Sequence, residues 1–127
     1  MVGRRSVLFG LLAAALGATA AQAGGSIGFD EVRDGLASGK IVLIDVREAG
    51  EFAAGHVPGA VNLPLSTLNP AAVPKPADKT VVLMCRSGNR SGRAMAALAA
   101  AGRSDLVNYS GSMIDWTAKA GPIATGN

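Results

Sequence analysis

One cysteine, Cys85, and one histidine, His56, are all that the 127-residue chain holds of those two types. A single thiol cannot close an internal disulfide, so the fold must hold by packing alone, and an unpaired cysteine points either to intermolecular pairing or to a reactive group. One cysteine and one histidine also cannot make a closed metal site, and no ligand spacing surrounds them. Gly88 and Gly92 form neither a dinucleotide fingerprint nor a phosphate-binding P-loop, and no G-x-S-x-G elbow marks a serine hydrolase. Internal repeats are missing too. The N-terminal apolar run, from Val7 to about Ala21, is shorter than the ~20 residues a spanning helix needs and is interrupted by Gly10 and Gly17.

That run follows Arg4 and Arg5 and leads into Ala21-Gln22-Ala23, the three-part plan of a signal peptide. The sequence predicts cleavage after Ala23, a leader over 1–23 and a mature domain over 24–127 in the periplasm or outside the cell. Arg4-Arg5-Ser6-Val7-Leu8 resembles a twin-arginine signal, but paired arginines are common in ordinary leaders, so both export routes stay open. Removal of 23 of the 127 residues leaves 104, enough for one domain and too few for two. Ten basic side chains then face nine acidic ones, a balance that gives no footprint for nucleic acid. No membrane attachment is expected once the leader is gone.

What the chain does have is an ordered stretch from Thr80 to Ala101. Val81-Val82-Leu83-Met84 reads as a buried parallel strand that delivers Cys85 into Arg86-Ser87-Gly88-Asn89-Arg90-Ser91, and Ala94, Met95, Leu98 and Ala101 then recur at helical spacing before Gly102. Cys85 therefore stands at a strand's carboxyl end, where open α/β sheets bind ligands. The loop runs into a helix N-terminus, which aims N–H groups and a positive dipole at whatever sits there. An isolated cysteine is most often a small buried hydrophobe. Two arginines, two serines, a glycine and an asparagine after Cys85 argue instead for a reactive thiol, since such surroundings lower a thiol pKa from ~8.5 toward ~3.5 to 7.5.

Elsewhere the pattern alternates helix and strand. Asp30 is a candidate cap for a helix carrying Phe29, Val32 and Leu36 and ended by Gly39, and Ile41-Val42-Leu43-Ile44 is a second apolar strand ending in Asp45-Val46-Arg47-Glu48. A short helix over Ala49 to Ala54, the turn Gly55-His56-Val57-Pro58-Gly59, a small strand near Ala60 to Leu63 and a Pro-rich loop through Pro70, Pro74 and Pro76 follow. Leu106 to Gly111 reads as a last strand and turn, with Met113, Ile114 and Trp116 on a closing helix, Trp116 in the core. Such alternation predicts a three-layer α/β/α domain with a mostly parallel sheet. Asp45 suits an acceptor of backbone hydrogen bonds that fixes its loop more than a direct catalyst. Arg47 and Glu51, four apart, suit an ion pair on one helix or, for Arg47, substrate binding. His56, set in a tight turn, suits a brace rather than a general base.

Four elements in family order resemble the rhodanese family: Ile44-Asp45-Val46-Arg47-Glu48, Gly55-His56-Val57-Pro58-Gly59-Ala60, the Cys85 to Ser91 loop, and Gly111-Ser112-Met113-Ile114-Asp115-Trp116. The likeness is to single-domain members. It implies a thiosulfate sulfurtransferase with no dissociable cofactor, which moves sulfane sulfur from a small anionic donor to a thiophilic acceptor, cyanide or a thiol, or to a protein sulfur acceptor. Cys85 would be the nucleophile, Arg86, Ser87, Gly88, Asn89, Arg90 and Ser91 the binding loop, with Asp45 and Arg47 in support. Arg86 and Arg90 would attract the donor and stabilise departing sulfite. The turn usually found as two glycines is Gly111-Ser112 here, a departure expected to touch only local backbone geometry. Two other classes share some of these features: a sulfur carrier or redox sensor without turnover, and a cysteine-dependent phosphatase or arsenate reductase, whose loop runs one residue longer than the six from Cys85 to Arg90.

Overall fold

The computed structural model of the chain describes residues 23–127, so the leader read over 1–23 lies outside the described residues except for Ala23. Four strands, β1 (Ile41–Asp45), β2 (Val61–Asn62), β3 (Thr80–Met84) and β4 (Val107–Asn108), form one sheet in the order β2-β1-β3-β4. Every pairing is parallel. The central pair runs in full register from Ile41 opposite Thr80 to Asp45 opposite Met84, which brings the two strand ends level. Gly24 donates to Leu106 O at 2.7 Å and Ile27 to Asn108 O at 2.9 Å, so the segment before the first helix continues the sheet beside β4.

Helices α1 (Phe29–Ser38), α2 (Ala49–Ala54), α3 (Asn89–Ala100) and α4 (Ser112–Ala118) supply the crossovers and covers, with two 3₁₀ turns at Leu65–Thr67 and Pro70–Ala72 in the Pro-rich loop. Strand side chains alternate between faces, and the two cores follow that alternation. Leu43, Val82, Met84 and Val107 pack with Val32, Tyr109 and Trp116 toward α1 and α4, while Ile44, Val81, Leu83 and Cys85 pack with Ala94 and Leu98 of α3. The sheet is thus covered on both faces, which is why its strands read as unbroken apolar runs. Trp116 is buried, as its place in the sequence predicts, and its indole donates to Pro122 O at 2.8 Å.

The start of α1 differs from the sequence expectation. Gly28 is the N-cap, and Asp30 lies inside the first turn, where its charge faces the positive helix end. Glu31 does the capping: its carboxylate accepts from Gly28 N–H at 2.7 Å. Phe29 can begin the helix because its ring meets Trp116 with centroids 4.8 Å apart, so packing moves the boundary back by a turn's fraction. Gly39, at φ 75°, ends the helix as expected.

Candidate active site

Even alternation along β3 turns Cys85 to the α3 side, directly beneath the helix that the next residues begin. Cys85 is only 1% exposed, and polar groups surround its sulfur. Gly88 N–H points at Sγ at 3.1 Å, Ser91 Oγ lies 3.6 Å away and Ser112 Oγ 4.0 Å away. The first backbone bond of α3 is Gly92 N–H to Gly88 O at 3.0 Å, so the N–H groups before it remain turned to the loop interior. Burial pushes the Cys85 thiol up, but the Ser91 hydroxyl and the N–H groups of Ser91, Gly88 and Ser87 outweigh it and hold the thiol below its ordinary value. The thiolate is favoured by hydrogen bonds to the charged form, and the nearby Arg90 guanidinium attracts it as well.

Gly88 is the residue this loop cannot exchange. Its φ is 93°, and a Cβ there would meet Ser110 O at 2.3 Å, so both the backbone turn and the space demand glycine. Across the gap, the start of α4 is sewn to the loop by Met113 N–H to Cys85 O at 3.1 Å and Ile114 N–H to Arg86 O at 3.0 Å.

Ser112 is the residue that sequence reasoning missed. It is fully buried, adopts φ 54°, and its hydroxyl accepts from Cys85 N–H at 3.0 Å while donating to Tyr109 O at 2.8 Å. The consequence of the Gly111-Ser112 turn is therefore not confined to backbone geometry: a side chain now meets the cysteine. The signal available in the sequence was the hydroxyl itself, standing where the resemblance leads one to expect a second glycine.

The second strand end holds Asp45 and Arg47. Asp45 Oδ1 accepts from Arg47 N–H at 3.0 Å, which is the loop-fixing role expected of it. Arg47, however, does not pair with Glu51. Its Nε and Nη2 fork onto the Asp45 carboxylate at 2.8 to 3.1 Å in a buried pair, and Nη2 also donates to the half-buried Gly55 O at 2.7 Å. Arg47 precedes α2 rather than lying on it, so the four-residue spacing has no helical meaning there. Glu51 turns instead to Arg90, with bonds of 2.6 and 2.9 Å, and the Arg90 guanidinium draws its carboxyl down to about 2. Arg90 is thus held by a carboxylate, while Arg86 is exposed and has no ion pair among the described residues. Ser87 and Asn89 are exposed loop residues. His56 braces its turn: Nδ1 bonds Phe52 O at 2.8 Å and the two rings stack at 3.7 Å.

Two hollows flank these strand ends. One of about 540 Å³, lined by Phe52, His56, Gly59, Ala60, Asn62 and Asn127, touches none of the residues from 85 to 91. A groove of about 420 Å³ reaches the loop at Arg86 and is otherwise lined by Arg47, Met113, Ile114, Thr117 and Ala118. Size alone would favour the first, but only the second adjoins the thiol's loop.

A parallel α/β domain that buries one cysteine under the amides of a helix N-terminus is a scaffold for thiolate chemistry on anions. Residues 29–119 match the rhodanese-like domain family, and the chain belongs to it. It is 43% identical over 76 residues to an uncharacterized protein of Synechocystis sp., covering 60% of this chain but only 42% of that protein's length. Human thiosulfate:glutathione sulfurtransferase is 35% identical over 108 residues, 74% of this chain and 94% of the relative. Among solved structures, a human single-domain sulfurtransferase superposes with a TM-score of 0.64 at 34% identity, over 74% of this chain and 96% of that one.

Proposed function

We propose that this chain is a sulfurtransferase that takes sulfane sulfur from thiosulfate, or a donor like it, and passes it to a thiophilic acceptor through a persulfide on Cys85. The observation that carries this reading is the set of backbone N–H groups turned to Sγ, with the Ser91 hydroxyl beside them. Such donors favour thiolate, and the same groups then stabilise the persulfide's terminal charge, which is oxyanion-hole physics applied to sulfur. In the first half, Cys85 thiolate attacks the outer sulfur of thiosulfate. The new S–S bond forms as the old one breaks, and sulfite leaves with the electron pair. In the second, cyanide or a thiol attacks that outer sulfur and Cys85 departs as thiolate. Sulfurtransferase relatives matched over 68% to 94% of their own length support sulfur transfer in general.

A phosphate-transfer reading fits less well. The loop from Cys85 to Arg90 holds six residues, and three outer oxygens of a tetrahedral phosphorus or arsenic centre call for a wider ring of donors than one sulfur does. Thiosulfate turnover with cyanide or thiol, set beside aryl phosphate hydrolysis, tests the choice. The expected result is sulfur transfer with negligible hydrolysis, and Cys85→Ser should abolish the transfer while moving the thermal midpoint by no more than a few degrees. Phosphatase activity lost in Cys85→Ser would hand the site to the rival class.

We also infer export, with the mature chain beginning at about Gly24. Support comes from the basic start, apolar run and A-x-A site together. Protein isolated from a native cell envelope with Met1 intact would overturn it.

A further inference from the structure

Two carboxylates are fixed beside a loop that gathers donors for an anion. Arg90 forks onto Glu51 at 2.6 and 2.9 Å, and Glu51 Oε1 also accepts from Glu48 N–H at 3.1 Å, so that carboxylate is held from two sides. Glu48 is held in its turn by Ser66, whose hydroxyl donates to Oε1 at 2.6 Å from the 3₁₀ turn of the Pro-rich loop. These charges stand close to the reacting sulfur. Arg90 directly precedes Ser91, whose hydroxyl lies 3.6 Å from Sγ, and its guanidinium feels the charges of Glu51, Cys85 and Glu48 together. With its carboxyl drawn down to about 2, Glu51 stays ionised at neutral pH.

A fixed negative charge in this place opposes every anionic donor, in proportion to the donor's own charge. The N–H groups turned to Sγ act differently, because they grip one terminal atom at contact distance whatever charge the rest of the donor carries. Arg90, the cation that would draw a second negative charge, is already answered by Glu51. The Born cost of taking an ion out of water, meanwhile, grows with the square of its charge. A dianion therefore meets a larger desolvation cost than a monoanion and gains no matching field in return.

We propose that Glu51 is the counter-charge that sets the donor's charge, tuning the site toward sulfane sulfur compounds with a single negative charge, such as organic thiosulfonates, relative to dianionic thiosulfate. This rests on the sulfur-transfer reading above and names the donor class for its first half. With a thiosulfonate, Cys85 thiolate attacks the outer sulfur, the new S–S bond forms as the old one breaks, and the organic sulfinate leaves with the electron pair. No oxidant or reductant is consumed.

The experiment compares two donors on the same protein. The reduced, purified chain is loaded in single turnover with thiosulfate or with methanethiosulfonate, and the persulfide is followed by intact mass. Each donor is its own reference, so its intrinsic reactivity cancels in the ratio of variant to wild type. Glu51→Gln keeps an oxygen for Arg90 and removes the charge. It should speed loading from methanethiosulfonate about threefold at low salt, the scale of one charge several ångströms away, and loading from thiosulfate by roughly the square of that factor. Both gains should shrink as salt is added. Glu51→Asp, which keeps the charge, should keep the wild-type ratio between the two donors, and Arg90→Gln should slow thiosulfate more than methanethiosulfonate. In wild type itself, thiosulfate loading should change less than about twofold between low and physiological salt. Equal factors for the two donors in Glu51→Gln, as a purely structural clamp would give, overturn the proposal, and so does a steep fall of wild-type thiosulfate loading with salt. The wild-type salt series decides alone should Glu51→Gln fail to fold. Absence of loading from either donor is a different result, which overturns the sulfur-transfer reading and the counter-charge with it.

Discussion

At the end of β1 the chain satisfies its own polar groups, whereas at the end of neighbouring β3 it leaves them facing a single sulfur. Asp45 and Arg47 consume each other in a buried fork, and Asn62 closes what remains by donating from Nδ2 to the carbonyls of Asp45 and Arg47 at 3.0 and 2.8 Å. One strand over, Ser87, Gly88 and Ser91 turn their N–H groups toward Sγ. The register that sets Asp45 opposite Met84 makes these two ends neighbours. A fully paired end is rigid and chemically quiet, and an end with donors converging on one atom is poised for charge. The first supports the second: Val46 N–H bonds Met84 O at 2.9 Å, one residue before the cysteine.

The largest effect expected on stability comes from breaking the quiet end. Arg47→Ala would strand the Asp45 carboxylate in the interior, and loss of one partner of a buried pair costs about 3–5 kcal/mol. Urea unfolding should register that loss. A change below about 1 kcal/mol, the range of exposed pairs, would mean that the two ends are not the opposites described. Removing Arg47 should also impair sulfur transfer, through the loop geometry it holds rather than through contact with the donor.

Ser112 offers a sharper test at the other end. Ser112→Ala leaves the buried Cys85 N–H without its acceptor, at about 1–3 kcal/mol, and keeps the positive φ. Ser112→Gly loses the same bond but relieves a left-handed backbone worth about 1–2 kcal/mol, so it should be the milder change. If both variants unfold at the wild-type midpoint, the hydroxyl does not hold the cysteine loop.

The smallest effect concerns Glu51. Its carboxyl, held at about 2 by Arg90, lies below the ordinary value of 4.5. A carboxylate depressed by folding adds stability that is fully present above the ordinary pKa and lost as pH falls through the folded one. The Glu51–Arg90 contribution should therefore fade between pH 4.5 and about 2. Glu51→Gln should flatten that part of the stability profile, by less than about 1 kcal/mol because the pair is partly exposed. It should also free Arg90, so thiosulfate loading ought to gain some salt dependence.

How much of this was legible follows the distance between partners in the chain. Both strand ends could be read from Ile41 to Asp45 and Val81 to Cys85, since continuous apolar runs and the turn residues after them are local signals. The partners of side chains were harder. Glu51 and Arg90 are 39 residues apart and Cys85 and Ser112 are 27 apart, and nothing in periodicity joins them. Even a near pair misled: Arg47 sits four before Glu51 but outside α2, so it took the carboxylate two residues behind it. The start of α1 slipped for a related reason, because Phe29 packs on Trp116, far along the chain.

The central claim is that donors converging on Cys85 make it a carrier of sulfur. Intact mass spectrometry of the protein after brief exposure to thiosulfate tests it most directly. A gain of about 32 Da, confined by peptide mapping to Cys85 and removed by excess thiol, is the persulfide predicted. Protein that keeps its original mass at Cys85 while remaining folded and reduced would contradict the account.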